Sequence, residues 1–340
     1  MNKINIGIVG LGRMGQTHAR NIVVNIPEAN LYAACSVAEI EFEYAKREFG
    51  VKELYQNFEE MIENPNIDAV IIASPSGFHT EQIRLAMEKG LHVFSEKPIG
   101  LDIEDIKETI KIIDSHPNQI FQLGFMRRYD ESYQYAKKLV DEGILGELTL
   151  IRCYGIDPST ELESFVKFAT SSNSGGLFSD MSVHDIDLVR WFSGQEIKRV
   201  WALGKNAAYP ELDELGELET GAAMMQLKDE TMAILVAGRN AVHGYHVETE
   251  LIGTKGMLRI AQQPEKNLVT IFNEQGIVRP TTQNFPERFR EAFIREMKEF
   301  VSCIIDGRQP NVTANDGLQS TKVALACQKS IKTKQLIDVE

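Results

Sequence analysis

At 340 residues the chain exceeds what one hydrophobic core usually serves, so two domains are expected. Its 43% hydrophobic and 25% charged content is that of a globular protein, and 36 Lys plus Arg against 49 Asp plus Glu leave a net charge of −13. Such a charge repels nucleic-acid backbones and anionic membrane surfaces, which argues against both as partners.

The first elements alternate. Ile4 to Val9 is a short apolar run that predicts a strand, followed by glycines at 10, 12 and 15 and a helical stretch from Gln16 to Val24. Leu31 to Cys35 predicts a second strand and Glu39 to Phe49 a second helix. Ala69 to Ala73 is continuously apolar, as in a strand buried on both faces, and stops at Ser74-Pro75 before a helix from Thr80 to Lys89 closed by Gly90. His92 to Phe94 predicts a further strand broken by Pro98, then come a helix from Asp102 to Ser115 and a strand from Ile120 to Leu123. Strands alternating with helices imply a doubly wound parallel sheet.

After Tyr129 the rhythm changes. A helix to about Asp141 leads into a strand from Leu148 to Tyr154, and a polar loop rich in Ser and Thr is expected up to Gly176. A helix carrying Asp180 follows, then strand-like runs at Val200 to Leu203, Ala222 to Leu227, Met232 to Ala237, Val247 to Ile252 and Leu268 to Phe272. These connect with few helices, as in an open, largely antiparallel sheet. Helices near Phe289 to Asp306 and Leu318 to Lys332 close the chain. The expected fold class is α/β: a doubly wound domain over 1–125 and an α+β domain over 126–340 for substrate binding and oligomerisation, whose closing helices are able to pack back on the first.

Cys35, Cys153, Cys303 and Cys327 are scattered, with no Cys-x-x-Cys pair, as for reduced buried thiols. No basic, apolar and small-residue leader and no run of 18 apolar residues stands out, so a cytoplasmic protein is expected.

Gly10-Leu11-Gly12-Arg13-Met14-Gly15 satisfies G-x-G-x-x-G between a predicted strand and a predicted helix, the context of a Rossmann dinucleotide site. The first glycine allows the tight turn, the second a close approach of pyrophosphate, and the third close helix–strand packing. Where an acidic residue would bind the adenosine ribose, the chain has Ser36. Serine still hydrogen-bonds a ribose and does not exclude NADP, but Glu39, Glu41 and Glu43 crowd the region with negative charge. NAD is the expected cofactor.

Lys97, in Ser95-Glu96-Lys97-Pro98, emerges from the carboxyl end of a strand, where ligands sit in open α/β sheets, and its ammonium can steady a developing alkoxide. Further on, Gly175 to Asp187 reads GGLFSDMSVHDID, and helical spacing puts Asp180, His184 and Asp187 on one stripe. A carboxylate one turn from an imidazole makes a general base, although a helix cap with a surface histidine has the same pattern. The three could also ligate a metal; Lys97 already supplies the positive charge, and no metal is expected.

GLGRMG, SEKP at 95 to 98 and GG-x-x-x-D-x-x-x-H at 175 to 184 together resemble the Gfo/Idh/MocA family of nicotinamide-dependent sugar and polyol oxidoreductases over essentially the whole chain. Within that family, FQLGFMRRYD at 121 to 130, FVKFAT at 165 to 170 and AGRNAVHGYHVE at 237 to 248 resemble the inositol dehydrogenase branch. The resemblance implies a catalytic triad of Lys97, Asp180 and His184. It also implies a cyclic polyol substrate touched by these three with Arg127, Asp157 and Tyr245, and a homo-oligomer, dimer or tetramer. Cofactor contacts would come from the glycine loop (Gly10, Leu11, Gly12, Arg13, Met14, Gly15), Ser36, Ser74, Pro75, His79, Glu96 and Lys97. An aldose dehydrogenase, or an NAD-sensing regulator without chemistry, would share parts of this pattern.

Overall fold

The structure is a computed structural model and describes residues 3–171 and 175–340. Two compact units emerge, one of Met1–Tyr129 with Glu291–Leu318, the other of Asp130–Arg290 with Gln319–Glu340.

In the first unit β1 (Ile4–Val9), α1 (Arg13–Asn25), β2 (Ala29–Cys35), α2 (Glu39–Phe49), β3 (Glu53–Tyr55), α3 (Phe58–Ile62), β4 (Ala69–Ile72), α4 (His79–Glu88), β5 (His92–Glu96), α5 (Ile103–Ser115) and β6 (Phe121–Gly124) alternate. All six strands are parallel, in the order β3-β2-β1-β4-β5-β6. The chain reverses its winding between β1 and β4, where such sheets bind ligands at the carboxyl ends of their strands. β4 is buried along its whole length, which is why its sequence is apolar without alternation. Asp102 caps α5 by accepting from the Asp105 N–H at 2.9 Å. β3 and α3 are absent from the sequence pattern because three polar-flanked residues and a five-residue helix leave no period to detect.

The second unit begins with α6 (Glu131–Asp141), capped by Asp130, which accepts from Ser132 and Tyr133 amides. β7 (Leu148–Pro158), α7 (Leu162–Ser171), α8 (Leu177–Asp180), α9 (Val183–Ser193), β8 (Ile197–Lys205), β9 (Thr220–Leu227), β10 (Met232–Ala241), β11 (His246–Gly253), β12 (Gly256–Ile260), β13 (Ile271–Asn273), β14 (Gly276–Val278) and α10 (Phe285–Arg288) follow. β12-β11-β7-β10-β9-β8-β15 form one sheet, with β15 (Ile337–Asp338) supplied by the chain's end. Among the described strands of this sheet only β7 and β10 pair in parallel. Inward residues such as Ile151, Cys153, Ala233 and Leu235 are buried and alternate with more exposed ones.

Two expectations need correction. The polar loop after β7 contains a helix, α7, whose Leu162 is buried; residues 172–174 of that loop lie outside the described residues. The run from Leu268 is no part of the large sheet: Leu268 is 99% exposed, and β13 forms a separate hairpin with β14. Of α11 (Arg290–Asp306) and α12 (Ala314–Thr333), all of α11 but its first residue counts with the first unit, where Met297, Phe300 and Val301 pack in a cluster with Ile6, Ile8 and Phe94. Burying a side chain such as Phe94 is worth about 1.5–3 kcal/mol, a gain unavailable to an amphipathic helix left in water.

Candidate active site

The cofactor half lies along the carboxyl edge of the parallel sheet. Val9 is in register with Ile72, Ile72 with Ser95, and Glu96 with Gly124, so the turns after β1, β4 and β5 stand side by side. Gly10 has φ +84, and a Cβ there would meet the Ala73 carbonyl oxygen at 2.5 Å. A Cβ at Gly15 would fall 1.8 Å from the Gly10 carbonyl oxygen. Gly12, the N-cap residue of α1, has nothing within 4 Å of the corresponding position. Two glycines are therefore filled by the protein's own backbone and the middle one opens onto space at a positive helix end, which fits a pyrophosphate. Leu11 is buried, Met14 half-buried and Arg13 exposed.

Ser36 directly follows β2 and is buried. Its hydroxyl donates to Glu41 Oε2 and accepts from the Ala38 N–H at 3.0 Å. A carboxylate therefore does stand beside the end of β2, contributed five residues on by α2. The Ser74 hydroxyl donates to Gln82 at 2.6 Å, and Pro75 opens the exposed turn before α4. His79 is the first residue of α4 rather than part of a loop, and it is buried. Its ring nitrogens lie 2.7 Å from the Pro98 carbonyl oxygen and 2.8 Å from that of Ser74, so the ring braces the turn after β4 against the turn after β5. Burial pushes its proton affinity down.

Glu96 is likewise a brace. Its carboxylate lies 2.6 Å from His18 Nε2 and accepts from the Lys97 N–H at 3.2 Å, which fixes the backbone from which the half-buried Lys97 side chain departs. Burial pushes the Glu96 carboxyl up, but the His18 hydrogen bond and the charges of His18 and Lys97 outweigh it and hold the group below the usual range. Burial, then the charge of Glu96, pushes Glu296 of α11 well above its ordinary value. Arg127, expected in the second domain, belongs to the first unit, in a buried 3-10 turn over Met126–Tyr129.

The second unit holds the other residues. The stripe of Asp180, His184 and Asp187 is not one helix: α8 ends at Asp180 and α9 starts at Val183. At the break the Ser182 N–H reaches the Leu177 carbonyl, five residues back, so the turn is wider than helical. Asp180 is half-buried, while His184 and Asp187 are 7% and 1% exposed, which removes the surface-histidine alternative. Arg239, on β10, donates from Nη2 to Asp180 Oδ2 at 2.9 Å and has Nη1 3.8 Å from Asp157 Oδ2. Tyr245 is buried, donates its N–H to the Thr282 carbonyl at 2.8 Å and packs edge-on against Phe285 and Phe289. Beside it, His243 Nε2 and His246 Nδ1 stand 3.0 Å apart, and burial followed by the charge of His243 pushes His246 down.

Arg239 lies within the AGRNAVHGYHVE stretch at 237 to 248, but the resemblance gives it no role. The signal for it is period 2: Ala233, Leu235, Ala237 and Arg239 share the inward face of β10, and a charge in such a row requires a buried partner. Among the described residues no group of three or more His, Cys, Asp or Glu could hold a metal ion. All four cysteines are buried and free; burial pushes Cys35 to about 11 and Cys303 to about 12.

Residues 4–125 match the GFO/IDH/MocA family model described as an oxidoreductase family with an NAD-binding Rossmann fold, and residues 133–259 match the model of the GFO/IDH/MocA C-terminal domain. The myo-inositol 2-dehydrogenase of Thermotoga maritima is 31% identical over 99% of both chains. The chain belongs to the GFO/IDH/MocA oxidoreductase family. Among solved structures of that family, scyllo-inositol dehydrogenase from Lactobacillus casei with bound NAD(H) and scyllo-inositol is 62% identical, with a TM-score of 0.97 over 99% of each chain. The myo-inositol 2-dehydrogenase of Lactobacillus plantarum is 49% identical, with a TM-score of 0.98 over the full length of both chains. The oxidoreductase fold expected from GLGRMG and SEKP is therefore present from end to end.

Proposed function

We propose that the protein is an NAD-dependent dehydrogenase of inositol, oxidising one ring secondary alcohol to the ketone, an inosose. The observation that carries this is the 62% identity, over 99% of each chain, to an enzyme whose structure holds NAD(H) and scyllo-inositol. The lower identity of 49% to the enzyme named for myo-inositol favours scyllo-inositol as the better substrate.

NAD supplies the hydride acceptor. The carbon gives up hydride only as its hydroxyl proton leaves, so the chain must provide a base and a group that steadies the oxygen. His184 takes the proton, Asp180 steadies the imidazolium, and the Lys97 ammonium donates to the oxygen as charge develops on it. Arg127, Asp157 and Tyr245 supply polar contacts for the remaining hydroxyls. The glycine loop, Ser36, Ser74 and Pro75 receive the cofactor, while His79 and Glu96 act by bracing the turns that carry Ser74 and Lys97. The working form is a dimer or tetramer in the cytoplasm.

A spectrophotometric assay of NADH formation tests this with a panel of inositol stereoisomers and aldoses, each with NAD and with NADP. Fastest turnover is expected for scyllo-inositol with NAD. Turnover of an aldose with none of any inositol would overturn it.

A further inference from the structure

β10 and β7 run parallel in register as far as Gly238 opposite Ile156; the register shifts before Ala241 pairs with Pro158, and within that shift the side chains of Arg239 and Asp157 come near each other. Arg239 is 4% exposed, and its guanidinium is engaged on several sides. Nη2 binds Asp180 at 2.9 Å, Nη1 faces Asp157 at 3.8 Å, and Cζ stands 3.4 Å from the centroid of the Phe165 ring of α7. The Arg239 N–H also donates to the Glu219 carbonyl at 2.9 Å, pinning the backbone beneath it. A cation taken out of water in this way is costly unless its partners are fixed in return. Here one planar fork serves two carboxylates that would otherwise repel each other, and its face is closed by an aromatic ring.

We infer that Arg239 is the positioning residue of the catalytic half-site, holding the Asp180 carboxylate through one oxygen in the place from which it acts on His184. This rests on the role proposed for Asp180. Arg239 works through Asp180, with Asp157 and α7 tied to the same point.

A double-mutant cycle separates positioning from mere support. Arg239→Gln is made in the wild type and in Asp180→Asn, and turnover of the preferred inositol is measured alongside thermal stability and NAD affinity by fluorescence. In the wild type, Arg239→Gln should lower kcat about 10- to 100-fold while NAD affinity changes less than about twofold. In Asp180→Asn it should lower kcat less than about threefold, because the group it positions is already gone. Arg239→Lys keeps the charge but loses the fork; it should fall between the two and serves the same cycle if the glutamine variant does not fold. Equal losses in both backgrounds would overturn the inference and leave the function standing. A kcat unchanged in Asp180→Asn alone would instead sink the role of Asp180, and this inference with it.

Discussion

His184 is the second residue of α9 and nearly buried, so its imidazole has little water to exchange protons with and suits a base for one bound hydroxyl. Replacing it with alanine should lower kcat by about 10² to 10⁴ while NAD binds as before, because the cofactor half lies in other elements. Stopped-flow turnover with a parallel NAD titration checks both; full turnover in the variant removes His184 from the chemistry. The proposed preference for NAD rests on another pair. Ser36 departs from the acidic residue usual at the end of β2, yet its hydroxyl is held by Glu41, whose charge opposes a 2′-phosphate. Glu41→Arg should therefore tighten NADP relative to NAD by about tenfold or more, read as a ratio of dissociation constants. An unmoved ratio means that Glu41 does not read the ribose. Lys97, Asp180 and His184 were legible as candidates because they sit in local motifs. Arg239 and the Ser36–Glu41 pair were not, since their partners are set by sheet register and by the docking of α2.

At the scale of elements, the three glycines of the first turn make opposite demands. Gly15→Ala puts a methyl 1.8 Å from the Gly10 carbonyl oxygen, so α1 must move off β1. Such overpacking against backbone should cost about 3 kcal/mol or more and lower the thermal midpoint. Gly12→Ala meets nothing within 4 Å, so the midpoint should hold while NAD affinity falls about tenfold, the methyl occupying space meant for phosphate. Calorimetry and NAD titration on the pair give this crossed result; equal destabilisation would mean that the turn is only a structural corner. Regular elements of the parallel sheet were legible because burial on both faces leaves apolar runs, as in β4. The break at Met181–Ser182 was not. Helical spacing continues through it, and only the Ser182 to Leu177 hydrogen bond reveals the wider turn.

At the scale of the molecule, alternation and long-range packing diverge in what they disclose. The two sheets follow from their strand patterns, whereas α11 joins the first unit through contacts with residues nearly 300 positions away in sequence, which no local period encodes. The large sheet of the second unit poses a problem that a single chain leaves unsolved. Inward residues Ala202, Ala223 and Met225 are buried, but on the opposite face Trp201 stands opposite Met224, and Leu203 and Met232 lie near them. These four are 39%, 55%, 50% and 50% exposed, a contiguous apolar set on adjacent strands β8, β9 and β10. A second copy presenting the same face would cover it by two-fold symmetry, the commonest way in which such surfaces are removed from water. Met224→Asp, at the centre of the set, would bring two like charges together across that axis while leaving the inward face unchanged. Light scattering behind size exclusion should then give a multiple of the chain mass for the wild type and a smaller assembly for the variant; an assembly of the same size in both would place the subunit contact elsewhere.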